Sequence, residues 1–331
     1  RVPTPAAPAR QIQNRRSTAP ACFDRDTRAR GARLVFSCES GAVMVARGLL
    51  AAALAAACST RPPEAPEPPQ DPFLGLESRL GGRVGVFALD TETGRELAHR
   101  EDERFALCST FKWALAAAVL ARVDRGEEKL DRRISYDSGA LLEHAPITRL
   151  HAARGFMTTA ELAAASVTVS DNTAANLLLS QLGGPGAVTA FLRARGDTVT
   201  RLDRDEPALN ENLPGDPRDT TSPRAMATAL RTVFSGGQLS AASRDRLLGW
   251  MRSSPTGRER LRAGLPATWV VADKTGTCNR GAVNDVALAW PPGRPPIVIA
   301  AYLSDSRRTL PELNRAHAEI GRVVAAEFSR R

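Results

Sequence analysis

The sequence predicts an α+β fold in which both ends of the chain contribute to one antiparallel sheet, with an all-helical domain inserted between them. Three observations predict it. Strand-length apolar runs fall at 84–89 and 95–100, and again at 269–274, 283–290 and 297–303. The stretch between the two groups carries helical patterning with start and stop signals. No internal repeat breaks the order of strands, helices, strands and a closing helix.

Residues 1–43 are rich in Arg, Pro and Ala without a sustained apolar period, and read as an upstream or disordered extension. Residues 44–57 read as a signal peptide. Met44-Val-Ala-Arg47 is its basic start, and Gly48 to Ala57 is an apolar run too short to span a bilayer. Ala56-Ala57-Cys58 resembles a lipoprotein processing site, although Ala55 stands where Leu is usual. A lipid anchor at Cys58 and ordinary cleavage near Ala57 are both open, and either product is periplasmic or secreted. Residues 58–72 are Pro- and Glu-rich and suit a linker.

Residues 73–105 and 252–331 are assigned to the α/β domain, and 106–251 to the helical domain. Val84–Leu89 and Arg95–Arg100 form a strand pair around the turn Asp90–Gly94. Ser109–Val123 is an Ala-rich apolar helix ending near Gly126. Thr159–Val169 and Thr173–Leu182 read as helices split by Ser170-Asp-Asn172, and Pro185–Arg195 as another after Gly183-Gly184. Residues 197–220 form a long polar loop with Pro207, Pro214 and Pro217, a length that in a compact domain points to function. Helices follow at Ser222–Phe234 and Ser240–Met251, then strands at Trp269–Lys274, Val283–Trp290 and Ile297–Leu303, then the closing helix Leu310–Phe328.

Composition narrows the function. The formal charge is +9 over 331 residues, but residues 1–57 hold nine Arg against three acids, leaving +3 for 58–331. No basic stripe with interleaved aromatics appears, which argues against nucleic-acid binding. No apolar stretch long enough for a transmembrane segment follows the leader. The four His, at 99, 144, 151 and 317, lack metal-ligand spacing, so neither metal nor cofactor is expected. Lys occurs only at 112, 129 and 274 in an Arg-rich chain. Unlike Arg, a buried Lys can give up its proton.

Lys112 and Lys274 lie in polar motifs. In Ser109-Thr-Phe-Lys112, at a helix start, positions i and i+3 share a face, so the ammonium can reach the Ser109 hydroxyl and activate a nucleophile. A capping serine explains the same letters. Ser170-Asp171-Asn172 interrupts two apolar helical segments; it is either an inter-helix turn or a proton relay at Ser170 with a substrate hydrogen bond at Asn172. Lys274-Thr275-Gly276-Thr277 follows an apolar strand. It is either a simple strand end or a carboxylate site made by Lys274, Thr275 and Thr277, with Gly276 opening the backbone to a ligand.

Each motif alone is weak. Together, in this order, they resemble the penicillin-recognising serine enzymes. Glu206-Pro-Ala-Leu-Asn210 is similar to the class A β-lactamase loop, in which Glu and Asn hold a hydrolytic water; transpeptidases lack it. The resemblance covers residues 72–328 and implies the β-lactamase/penicillin-binding-protein fold, with β-lactam hydrolysis by a monomer through a Ser109 acyl-enzyme. It also implies a loop-closing Arg204–Asp219 pair, a loop support at Asn176 and a rim residue at His144. Val283 stands where many members carry the substrate-carboxylate Arg, and Arg260 matches the alternative position. Cys108 and Cys278 resemble the disulfide pair of class A carbapenemases, the other reading being two reduced buried thiols. Either Lys112 or Glu206, through water, is the base for acylation. A D-alanyl-D-alanine peptidase and a penicillin sensor are the alternatives; the Glu206 loop argues against the first, the lack of a later spanning segment against the second.

Overall fold

The computed structural model describes residues 71–329. The upstream extension, the signal segment, Cys58 and the linker up to residue 70 lie outside the described residues. Five strands form the central sheet: β1 (Arg83–Asp90), β2 (Glu96–His99), β3 (Val270–Cys278), β4 (Ala282–Trp290) and β5 (Ile297–Ser304). Their order is β2-β1-β5-β4-β3, antiparallel throughout. β1 pairs with β5 along its whole length, from Arg83 opposite Ser304 to Asp90 opposite Ile297. The two ends of the chain are thereby stitched into one sheet, as the sequence predicts.

Both faces of the sheet are covered, which explains why its strands read as near-continuous apolar runs. The strand period of two divides each run. Val84, Val86, Ile297, Ile299, Ala301 and Leu303 join one core with Leu313, Ile320, Val324 and Phe328 of the closing helix Leu310–Ser329. Phe87, Leu89, Val286, Leu288, Val298 and Tyr302 join the other, with the helices on the opposite face. At the centre of that second core lies the helix Lys112–Asp124, buried from Lys112 to Ala121. A helix enclosed on all sides has no polar face, and its alanines let neighbouring helices come close.

Around it pack Thr159–Thr168, Asn172–Leu182, Gly186–Arg193, Pro223–Ser235 and Ala241–Ser253. The start signals act as caps: Ser222 accepts from Ala225 N, Ser240 from Ser243 N, and Thr158 forms a capping box with Glu161. Among the described residues no helix is long and apolar enough to cross a membrane.

The structure differs from the sequence reading in three places. Ser109 lies on a 3-10 turn, Cys108–Phe111, before the α-helix proper begins at Lys112. β3 continues through Lys274-Thr-Gly-Thr to Cys278, because Ala282–Trp290 of β4 supplies a partner for every residue. The short helix Leu74–Leu80, closed by Gly81 at φ 62°, precedes β1 where the sequence pattern marks no element. It is seven residues long and buries only Leu76 and Leu80, too little pattern to stand out.

Packing on the closing helix is close enough to test. Gly264 ends the short helix Leu261–Gly264, and a Cβ there would run into the Ala318 carbonyl of the closing helix. Gly249, within Ala241–Ser253, has nothing within 4 Å of such an atom. Gly264→Ala should cost about 1–3 kcal/mol, seen as a thermal midpoint lowered by several degrees. Gly249→Ala should leave the midpoint unchanged or raise it. Calorimetry of the two variants checks the contrast.

Candidate active site

The segment before the central helix is pinned to the sheet from two sides. Asn284 of β4 donates to Ala106 O at 2.8 Å, and Cys108 is bonded to Cys278 of β3 with a Cα–Cα separation of 5.5 Å. Gly276 permits this approach: a Cβ there would lie 2.9 Å from Cys108 Cβ and 3.0 Å from Ser109 N. Its role in the fold is therefore close contact with the nucleophile turn, beyond the ligand access that its sequence context suggests. Cys108 has φ 45°, and the turn presents Ser109 half-buried at the cleft floor.

One turn on, the Lys112 side chain has no exposure. Its Nζ lies 3.1 Å from Ser109 Oγ, 2.9 Å from Ser170 O, 2.6 Å from Asn172 Oδ1 and 2.9 Å from Glu206 Oε1. Burial pulls the Lys112 pKa below the usual lysine range, against the opposing pull of Glu206 and Asp171. Glu206 Oε1 also accepts from Ser109 Oγ at 3.4 Å. Its other oxygen accepts from Asn210 Nδ2 at 2.5 Å.

The polar triplet between helices divides its labour. Asp171 caps Asn172–Leu182 through Ala174 N at 2.9 Å and accepts from Ile147 N and Thr148 N at the same distance. Ser170, at φ 60°, presents its hydroxyl 3.1 Å from Lys274 Nζ and 3.4 Å from Lys112 Nζ. One serine thus stands between two fully buried ammonium groups. The Lys274 pKa falls well below its usual range because of burial first and the like charge of Lys112 second.

The 197–220 loop is held at both ends. Arg204 Nε meets Asp219 Oδ2 at 2.6 Å, and Asp219 Oδ1 accepts from the Asp203 and Arg204 backbone. Asn176 grips Glu206 twice, donating to its carbonyl at 2.7 Å and accepting from its N–H at 2.9 Å. Opposite, Arg260 is buried and donates to Gly276 O, Asn284 O and Thr277 Oγ1 at 2.7–2.9 Å. Arg260 is therefore part of the buried wall of the site and not a surface arginine. His144 is exposed, with Nε2 3.0 Å from Val169 O, at the rim of the cleft.

These residues surround one cleft of about 320 Å³, lined by Ser109, His144, Ser170, Asn172, Asn210, Arg260, Thr275, Gly276 and Thr277. Four contributors escaped the sequence reading. Thr256 lines the cleft and accepts from Thr275 Oγ1 at 2.7 Å. Asn314 accepts from Arg260 Nε at 3.0 Å. Asn284 and the capping carboxylate of Asp171 complete the set. Thr256, Asn284 and Asn314 carry no local signal, since each acts through a distant part of the chain, whereas Asp171 is a local cap within the polar triplet. His317 bonds Val283 O at 2.9 Å; burial and nearby Arg260 push its pKa down to about 3, so it is a neutral structural group. Among the described residues no group of three or more His, Cys, Asp or Glu is arranged to hold a metal ion.

Comparison with known proteins agrees with this geometry. The model of the beta-lactamase enzyme family matches residues 73–328. The carbapenem-hydrolyzing beta-lactamase KPC of Klebsiella oxytoca is 50% identical over 233 residues, 70% of this chain and 79% of the relative. Beta-lactamase L2 of Stenotrophomonas maltophilia is 46% identical over 292 residues, 88% of this chain and 96% of the relative. Among solved structures, the class A β-lactamase of the last common ancestor of Gram-negative bacteria superposes with a TM-score of 0.76 at 57% identity, covering 77% of this chain and 97% of that one. The putative class A β-lactamase PenP of Rhodopseudomonas palustris gives 0.75 at 52%, covering 77% and 97%. With the family match running from the first described helix to the last, this chain belongs to the class A serine β-lactamases.

Proposed function

We propose that the chain hydrolyses the β-lactam ring of penicillins, cephalosporins and carbapenems through an acyl-enzyme on Ser109, and so confers resistance to them. The observation that carries this reading is the buried Lys112–Glu206 pair, with Nζ 3.1 Å and Oε1 3.4 Å from the same Ser109 hydroxyl. A base beside the nucleophile supports acylation, and a carboxylate on the loop side supports release.

Lys112, whose pKa burial lowers, takes the Ser109 proton through its unprotonated form as Oγ attacks the lactam carbonyl. The N–H groups of Ser109 and Thr277 receive the developing oxyanion. Ser170, bridging Lys112 and Lys274, passes a proton to the lactam nitrogen as the C–N bond breaks. Thr275, Thr277 and Arg260 hold the substrate carboxylate, while Asn172 and His144 border the rest of the substrate. Glu206, aligned by Asn210 and Asn176, then takes a proton from the water that attacks the ester, and Ser109 is regenerated.

Carbapenem turnover is included because of the Cys108–Cys278 bond and the similarity to a carbapenem-hydrolyzing relative. The signal-like segment 44–57 and the disulfide favour a secreted or periplasmic location for the proposed monomer, with Cys58 as the residue a lipid anchor would take. The cleft is assigned to the junction of the helical part, 106–251, with the α/β part, 73–105 and 252–331.

Glu206→Gln should acylate with a penicillin and stall, with the acyl-enzyme mass accumulating and steady-state turnover falling by about 10²–10⁴. Undiminished turnover in that variant contradicts the assignment. With imipenem, the unmodified chain should complete many turnovers per molecule. Stoichiometric acylation without release would restrict the substrates to penicillins and cephalosporins.

A further inference from the structure

A second cleft, of about 670 Å³, is roughly twice the size of the one at Ser109 and shares no residue with it. It lies where the helices Pro223–Ser235 and Ala241–Ser253 meet the far ends of β4 and β5. Phe234, Leu248, Leu288 and Trp290 give it an apolar lining. Arg231 and Arg244, one from each helix, also line it. We propose that this cleft binds an amphipathic carboxylate, with a medium-length alkyl chain on the apolar lining and its carboxylate between the two guanidinium groups.

Three features carry the proposal. The volume lies in the range of small-molecule sites, and the combination of apolar lining with few polar groups is the one such sites show. Most arginines around this fold are matched to carboxylates, but among the described residues neither Arg231 nor Arg244 has a carboxylate within 4.0 Å. The acids of the adjoining turn cannot neutralise them, because Asp90 and Glu92 are both bonded to Arg294, at 2.7 and 2.8 Å. Arg252 adds a third positive charge, stacked 4.9 Å from the Trp290 ring. An apolar recess edged by uncompensated guanidinium groups selects for an anion with an apolar body. A neutral chain gains only the apolar part, and a small hydrophilic anion only the charge.

The test is a titration of the protein with decanoate, followed through the Trp290 indole N–H by two-dimensional NMR, with 1-octanol as the uncharged probe. The expected result is a saturable shift at one decanoate per chain, weakened about tenfold or more by Arg231→Glu with Arg244→Glu. Arg260→Ala, at a residue that lines the Ser109 cleft and not this one, should leave that titration unchanged once a retained thermal midpoint shows that loss of its bonds to β3, β4 and Asn314 has not unfolded the chain. The proposal is overturned if decanoate does not saturate, if 1-octanol binds as tightly, or if the double variant binds as well as the original. It is equally overturned if Arg260→Ala abolishes the shift, because decanoate would then occupy the Ser109 cleft.

Discussion

A lysine ammonium and a glutamate carboxylate, 2.9 Å apart and both removed from solvent, are the contact on which the rest of this structure depends. Taking such a pair out of water costs several kcal/mol per ion, and mutual attraction alone seldom offsets it. Here the remaining donors of Lys112 find Ser109, Ser170 and Asn172, and the second Glu206 oxygen finds Asn210. Those partners, with the pair itself, come from three separate stretches of chain, 109–112, 170–172 and 206–210. Each must be placed to within a few tenths of an ångström, and the fold can be read as the means of doing so.

The placement is rigid where the chemistry needs it. The Ser109 turn is bonded to β3 through the disulfide and hydrogen-bonded to β4 through Asn284, with Gly276 allowing the close approach. The loop that carries Glu206 has no long secondary structure of its own. It takes its shape from Arg204–Asp219 across its neck and from Asn176 on the neighbouring helix. A second buried ammonium, Lys274, shares Ser170 with the first. Two like charges at one hydroxyl lower the cost of keeping at least one amine neutral, which suits a site that must accept and return protons.

Much of this was legible in the sequence because the periodic signals are strong. The strands of the buried sheet read as apolar runs, and Ser222 and Ser240 mark helix starts where they cap them. The catalytic letters were legible only as a set, since the motifs of Ser109, Ser170, Glu206 and Lys274 together resemble those of the penicillin-recognising serine enzymes. What stayed hidden acts across long sequence separations. Thr256, Asn284 and Asn314 look ordinary in their own neighbourhoods, and their partners lie 19, 178 and 54 residues away. The burial of Arg260 was equally invisible, because it follows from the carbonyls of β3 and β4 and not from its own surroundings in the chain. The extension of β3 through Cys278 came from pairing with β4, which local propensity does not report.

In the proposed reaction Lys112 removes the Ser109 proton while the charge of the Glu206 carboxylate opposes the loss of the Lys112 proton. The most direct measurement is the pH profile of single-turnover acylation in the unmodified chain and in Glu206→Gln. Burial lowers the Lys112 pKa and the Glu206 charge raises it, so removing that charge must lower it further. Acylation should rise with pH through one ionisation below the usual lysine range, and in Glu206→Gln that ionisation should move to lower pH. An ionisation that vanishes with Glu206, or moves to higher pH, would rule out Lys112 as the base for acylation.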